Sequence, residues 1–112
     1  MREIAYFMLE PRAGEALSSR LGSRALRWET PRLERFLWRG YRVSLYLFPC
    51  RLEGTKRLHW WMERIGSALE EQGTVLWLAP ELEAAWEDAL RGRAGSLKVT
   101  VDRSSGGRTE TI

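Results

Sequence analysis

Asparagine is absent from this 112-residue chain, and cysteine, histidine and glutamine occur once each, as Cys50, His59 and Gln72. A single cysteine forms no internal disulfide, so the fold rests on its own apolar core, and one lone thiol fits a reducing compartment. One histidine and one cysteine fall short of the four such ligands that a structural zinc site usually takes. Long apolar runs are missing as well. The longest, Ile4 to Leu9 and Val43 to Pro49, span six and seven residues, against the roughly 20 needed to cross a bilayer. At the N-terminus, Met1-Arg2-Glu3 reaches Glu10 before a secretory apolar region develops. These absences point to a cytoplasmic protein. No glycine-rich phosphate loop, nucleophile elbow or metalloprotease signature is present. Cys50 and His59 are the one pair that could suggest nucleophilic catalysis, nine residues apart at a strand end and in a first helical turn, and no third orienting group accompanies them. The sequence assigns no catalytic residue, no metal ligand and no cofactor.

Lysine is also scarce, with Lys56 and Lys98 set against sixteen arginines. Scarcity of Asn, Gln and Cys is a thermophile trait, although an arginine bias is equally what a GC-rich genome produces. Nucleotide bias explains a number of arginines but not their positions. Six of them (Arg24, Arg27, Arg32, Arg35, Arg39, Arg42) fall in one nineteen-residue stretch, interleaved with Trp28, Phe36, Trp38 and Tyr41. Only Glu29 and Glu34 oppose them, a local excess of four, whereas the remaining residues balance to minus one against the overall +3. Attraction to a polyanion is therefore local to this segment. With 44% hydrophobic and 29% charged residues the chain otherwise has the make-up of an ordinary globular domain.

Element signals run the length of the chain. Ile4 to Leu9 is apolar on both alternating faces and reads as a buried strand stopped by Glu10-Pro11. Ala13, Leu17 and Leu21 recur at four-residue spacing before Gly22, predicting a short helix. Alternation from Arg24 to Thr30 and from Leu33 to Trp38 stops at Arg39-Gly40 and resumes over Tyr41 to Phe48, predicting a hairpin with a two-residue turn. In that register Trp38 faces Tyr41, Phe36 faces Val43 and Glu34 faces Leu45, so Arg35, Arg42 and Tyr46 share the opposite face. Thr55 caps a helix with Leu58, Trp61, Met62, Ile65, Ala68 and Leu69 on its stripe and Gly73 at its end. Trp61 lies on that stripe, and Trp60 points about 100° away beside Arg64. Thr74 to Ala79 is a second doubly apolar strand, Pro80 opens a third helix ending at Gly92, and Leu97 to Val101 alternates as a last strand.

The expected fold is α+β: a ferredoxin-like βαββαβ sandwich with an added C-terminal helix and strand. Residues 1–103 form a single domain and residues 104–112 a flexible C-terminal tail. The second face of the strand Thr74 to Ala79 needs a cover, either the third helix or another subunit.

The octamer Arg39-Gly40-Tyr41-Arg42-Val43-Ser44-Leu45-Tyr46 resembles the RNP1 segment of RNA-recognition-motif domains and falls on the third strand, where that family carries it. Arg39, Gly40, Tyr41 and Tyr46 agree with its pattern, whereas Arg42, Val43 and Ser44 depart from it. In the first strand Ile4 and Leu9 fit the RNP2 pattern, but Ala5 and Met8 do not. Glu10, after the first strand, resembles the acidic metal-binding residue of the small ferredoxin-like CRISPR adaptation nucleases, although Leu9-Glu10-Pro11 departs from their aspartate pattern.

The expected function is that of a non-enzymatic binding module for nucleic acid or another polyanion, acting through the hairpin 24–42. Arg27, Arg35, Arg39 and Arg42 position phosphates of RNA or DNA, and Tyr41 or Trp38 stacks on bases. The alternatives are a homodimeric regulatory or structural subunit acting through protein contacts, and a small ferredoxin-like metal-dependent nuclease.

Overall fold

Apolar runs of strand length and an amphipathic helical stripe, punctuated by turn and cap residues, set out the elements of the described residues. The computed structural model describes residues 2–10, 30–90 and 97–103. Within them lie β1 (Arg2–Leu9), β2 (Arg32–Trp38), β3 (Tyr41–Phe48), α1 (Lys56–Gln72), β4 (Val75–Leu78), α2 (Glu83–Ala89) and β5 (Val99–Val101). The helix expected over Ala13 to Leu21, the alternation from Arg24 to Thr30, the stop at Gly92 and the tail 104–112 lie outside the described residues.

Helix α1 follows its sequence signals closely. Thr55 Oγ accepts the Leu58 N–H at 3.3 Å and donates to the Leu52 carbonyl at 2.6 Å, satisfying a donor that the first turn leaves orphaned. Gly73 takes φ 72°, and the Thr74 N–H returns to the Leu69 carbonyl at 3.0 Å, the left-handed stop that glycine adopts without a Cβ penalty. The third helix is less regular than expected, because Pro80–Leu82 forms a 3₁₀ turn before α2 begins.

All five strands form one sheet in the order β2-β3-β1-β4-β5. Strands β1, β3, β4 and β5 run parallel, and only β2 is antiparallel to its neighbour β3. The α+β class stands, but the alternating directions of a ferredoxin-like sheet are not observed. Strand β2 starts at the end of the sheet where β1 finishes, with Arg32 Nη1 3.4 Å from Glu10 Oε2. The chain thus returns antiparallel to β1, where a ferredoxin-like crossover would deliver a parallel strand. The resemblance of residues 39–46 to RNP1 consequently does not extend to the sheet that carries it.

One sheet face holds the core. Ala5, Phe7, Leu9, Phe48, Leu76 and Leu78 pack against Leu58, Met62 and Leu69 of α1 and Trp86 of α2. The two helices meet where Gly66 admits the Trp86 ring; a Cβ at position 66 would lie 2.8 Å from the Trp86 ring edge. Because α2 joins α1 on this face, the third helix is not the cover expected for the other one. There Ile4, Tyr6, Met8, Val75 and Trp77 are only half-buried, and the Tyr6 hydroxyl donates to Asp102 Oδ2 at 2.5 Å just beyond β5. Burial first, then the hydrogen bond and charge of Asp102, raise the Tyr6 hydroxyl well above the ordinary tyrosine pKa. Among the described residues no helix is long and apolar enough to cross a membrane.

Candidate nucleic-acid interface

A two-residue connection must twist with the strands it joins, and the type I′ turn that does so takes positive φ at both central positions. Arg39 (φ 50°) and Gly40 (φ 84°) meet that requirement. The pairing that results is the one expected, Trp38 with Tyr41, Phe36 with Val43 and Glu34 with Leu45. Parity then sorts the side chains: Phe36, Trp38 and Tyr41 emerge on the open face, and Arg35, Arg42, Ser44 and Tyr46 on the face of α1.

At the tip, Trp38 and Tyr41 stack with centroids 6.4 Å apart and an interplanar angle of 29°. The Arg39 guanidinium lies 5.0 Å from the centre of the Trp38 ring, a cation–π distance. Trp38 is 50% exposed and Phe36 46%, so these rings are not sequestered in the core. Behind them a groove of about 590 Å³ runs over the open face between Tyr6, Phe36, Trp38, Arg39, Trp77 and Asp102.

On the helix side, Arg35, Arg42, Ser44 and Tyr46 border a hollow of about 540 Å³ closed by Leu69 and Gln72 of α1. Arg42 Nη1 stands 3.8 Å from Glu3 Oε2, an exposed pair that contributes at most about 1 kcal/mol. Arg32 is shared between Glu10 and Glu34, each at 3.4 Å. Arg35 and Arg39 form no ion pair among the described residues. Tyr46 is half-buried against the core, its ring nearly perpendicular to Phe7 with centroids 5.4 Å apart.

Of the six residues expected at the interface, Trp38, Arg39 and Tyr41 come together at the tip. Arg35 and Arg42 form a separate group on the other face, and Arg27 lies outside the described residues. Glu10 contacts Arg32 rather than other carboxylates, and among the described residues no three His, Cys, Asp or Glu side chains cluster as metal ligands would. Cys50 is buried.

One cation–aromatic group was not anticipated in full. Trp60, 40% exposed, has Arg57 at 4.5 Å and Arg64 at 4.7 Å from its ring centre, with Trp61 edge-on at 4.9 Å. The signal was present in the spacing: positions i−3 and i+4 share a helix face with i. No family model, curated protein or solved structure matches this chain.

Proposed function

We propose that this chain is a binding module for single-stranded nucleic acid, engaged at the tip of the β2–β3 hairpin. The observation that carries this reading is the half-exposed Trp38, stacked on Tyr41 with the Arg39 guanidinium against its ring. Rings serve any base because every base has a π-face, and each stacked base contributes about 1 to 3 kcal/mol. Arg39 adds a cation beside the rings, where the backbone of a stacked strand carries its phosphates. Arg35 and Arg42 extend the positive field around the strand edge but do not share the stacking face. Their part is electrostatic attraction rather than base contact.

Titration of single-stranded RNA and duplex DNA across a salt series tests this reading. Single strands are expected to bind more tightly than duplex. The Arg39→Ala variant is expected to flatten the dependence of log affinity on log salt by about 0.7 for a lost phosphate contact. Absence of binding at low salt, or a preference for duplex that survives Trp38→Ala, sinks the proposal. A second reading, contact with another protein chain, is favoured by a different observation, the exposed Leu33 and Leu37 on β2.

A further inference from the structure

Strand β2 ends the sheet, and its pairing with β3 decides which main-chain groups face outward. The Trp38–Tyr41 pair closes a two-residue turn and is hydrogen-bonded, so Phe36, Glu34 and Arg32 also direct N–H and C=O toward β3. Leu33, Arg35 and Leu37 therefore direct theirs away from the sheet, and no main-chain hydrogen bond meets them among the described residues. All seven residues of β2 are exposed. Proteins usually blunt such an edge with proline, a bulge, very short length or charge. Here Arg32, Glu34 and Arg35 supply charge, but four large apolar side chains stand beside them, Leu37 the most exposed at 68% and Leu33 at 41%.

We propose that this edge takes up an extended peptide segment of a second protein, in which an acidic residue is flanked two positions away on each side by apolar ones. Residues opposite one another in adjacent strands share a face. An added strand therefore sets apolar side chains opposite Leu33 and Leu37 and a carboxylate opposite Arg35, which has no carboxylate partner among the described residues. The Leu-Arg-Leu order reads the same in both directions, and the added strand runs antiparallel to β2, the polarity in which the residues opposite Leu33, Arg35 and Leu37 turn their own N–H and C=O toward the edge. Charge selects against the simplest alternative. Residues 32–42 carry four arginines against Glu34, and a second copy paired along the full strand sets Arg35 directly opposite its own counterpart. Like charges in that position destabilise a strand pair. The proposal rests on main-chain groups at the edge, not on the ring stack at the tip, so it stands or falls separately from nucleic-acid binding.

The test is a titration of the isotope-labelled protein, followed by amide NMR, with the peptide Ser-Thr-Val-Thr-Glu-Thr-Val-Thr-Ser. Saturable shifts are expected at the Leu33, Arg35 and Leu37 amides, with slowed hydrogen exchange there. A peptide with Lys in place of Glu is expected to bind about tenfold more weakly, from an attractive cross-strand pair turned repulsive. The Arg35→Glu variant should reverse that preference. N-methylation of both peptide valines, whose N–H groups face β2, is expected to abolish binding, whereas N-methylation of the threonines flanking Glu leaves it intact. The proposal is overturned by equal affinity for the Glu and Lys peptides, by shifts confined to other strands, by no binding at millimolar peptide, or by a free protein that sediments as a dimer with β2 buried.

Discussion

Replacing Tyr6 with phenylalanine removes one oxygen and tests whether the open sheet face contributes to stability. The hydroxyl donates to Asp102 at 2.5 Å and ties β1 to the end of β5 across β4. Hydrogen bonds to charged groups contribute about 1.5 to 3 kcal/mol, and partial exposure of both groups lowers the expected loss in Tyr6→Phe to about 1 to 2 kcal/mol. The sign of the pH dependence follows from the raised pKa of Tyr6, caused first by burial and then by Asp102. In the unfolded chain tyrosine ionises near about pH 10, whereas the folded hydroxyl keeps its proton to higher pH. Stability from this shift is fully present below about pH 10 and is lost as pH rises beyond it, at no more than about 1.4 kcal/mol per pH unit. Urea unfolding of both proteins from roughly pH 7 to roughly pH 11 checks it, because other titrating groups cancel in the difference. The two stability curves are expected to converge at the alkaline end. A difference that stays constant or widens above about pH 10 refutes the reasoning.

Two further substitutions probe the turn and the helix contact. Arg39 occupies the left-handed region at φ 50°, where a long side chain costs about 1 kcal/mol that asparagine partly avoids. Arg39→Asn is expected to raise the melting temperature slightly while weakening single-strand binding, and a loss of both would contradict the separation of turn geometry from ligand contact. Gly66→Ala should gain about 1 kcal/mol if only helix propensity mattered. With a Cβ 2.8 Å from the Trp86 ring edge, it is expected instead to destabilise the protein in urea unfolding by about 1 kcal/mol or more.

The hairpin register was legible because a two-residue turn at Arg39-Gly40 fixes the parity of every residue on both strands. The helix from Lys56 to Gln72 was legible because a cap at Thr55, an apolar stripe and a stop at Gly73 agree with one another. Strand direction was not legible: alternation in Ile4 to Leu9 or Thr74 to Ala79 is the same whichever way a neighbour runs. The deciding feature is the entry of β2 at Arg32 beside Glu10, a tertiary fact. The same limit applies to the candidate site. A period-two pattern over Leu33 to Trp38 marks a half-buried strand and does not distinguish an interior strand from an open edge, so the exposure of Leu33 and Leu37 carried no local signal. The clustering of arginines with rings did point to the hairpin. Register then separated Trp38, Arg39 and Tyr41 from Arg35 and Arg42, which sequence proximity had joined.

Fluorescence anisotropy of a labelled single-stranded RNA, titrated at low salt with the unmodified protein and with Trp38→Ala, tests the central claim most directly. The account predicts measurable binding that Trp38→Ala weakens by about tenfold or more, the loss of one stacked base. Equal affinity of the two proteins, or no binding by either, contradicts it.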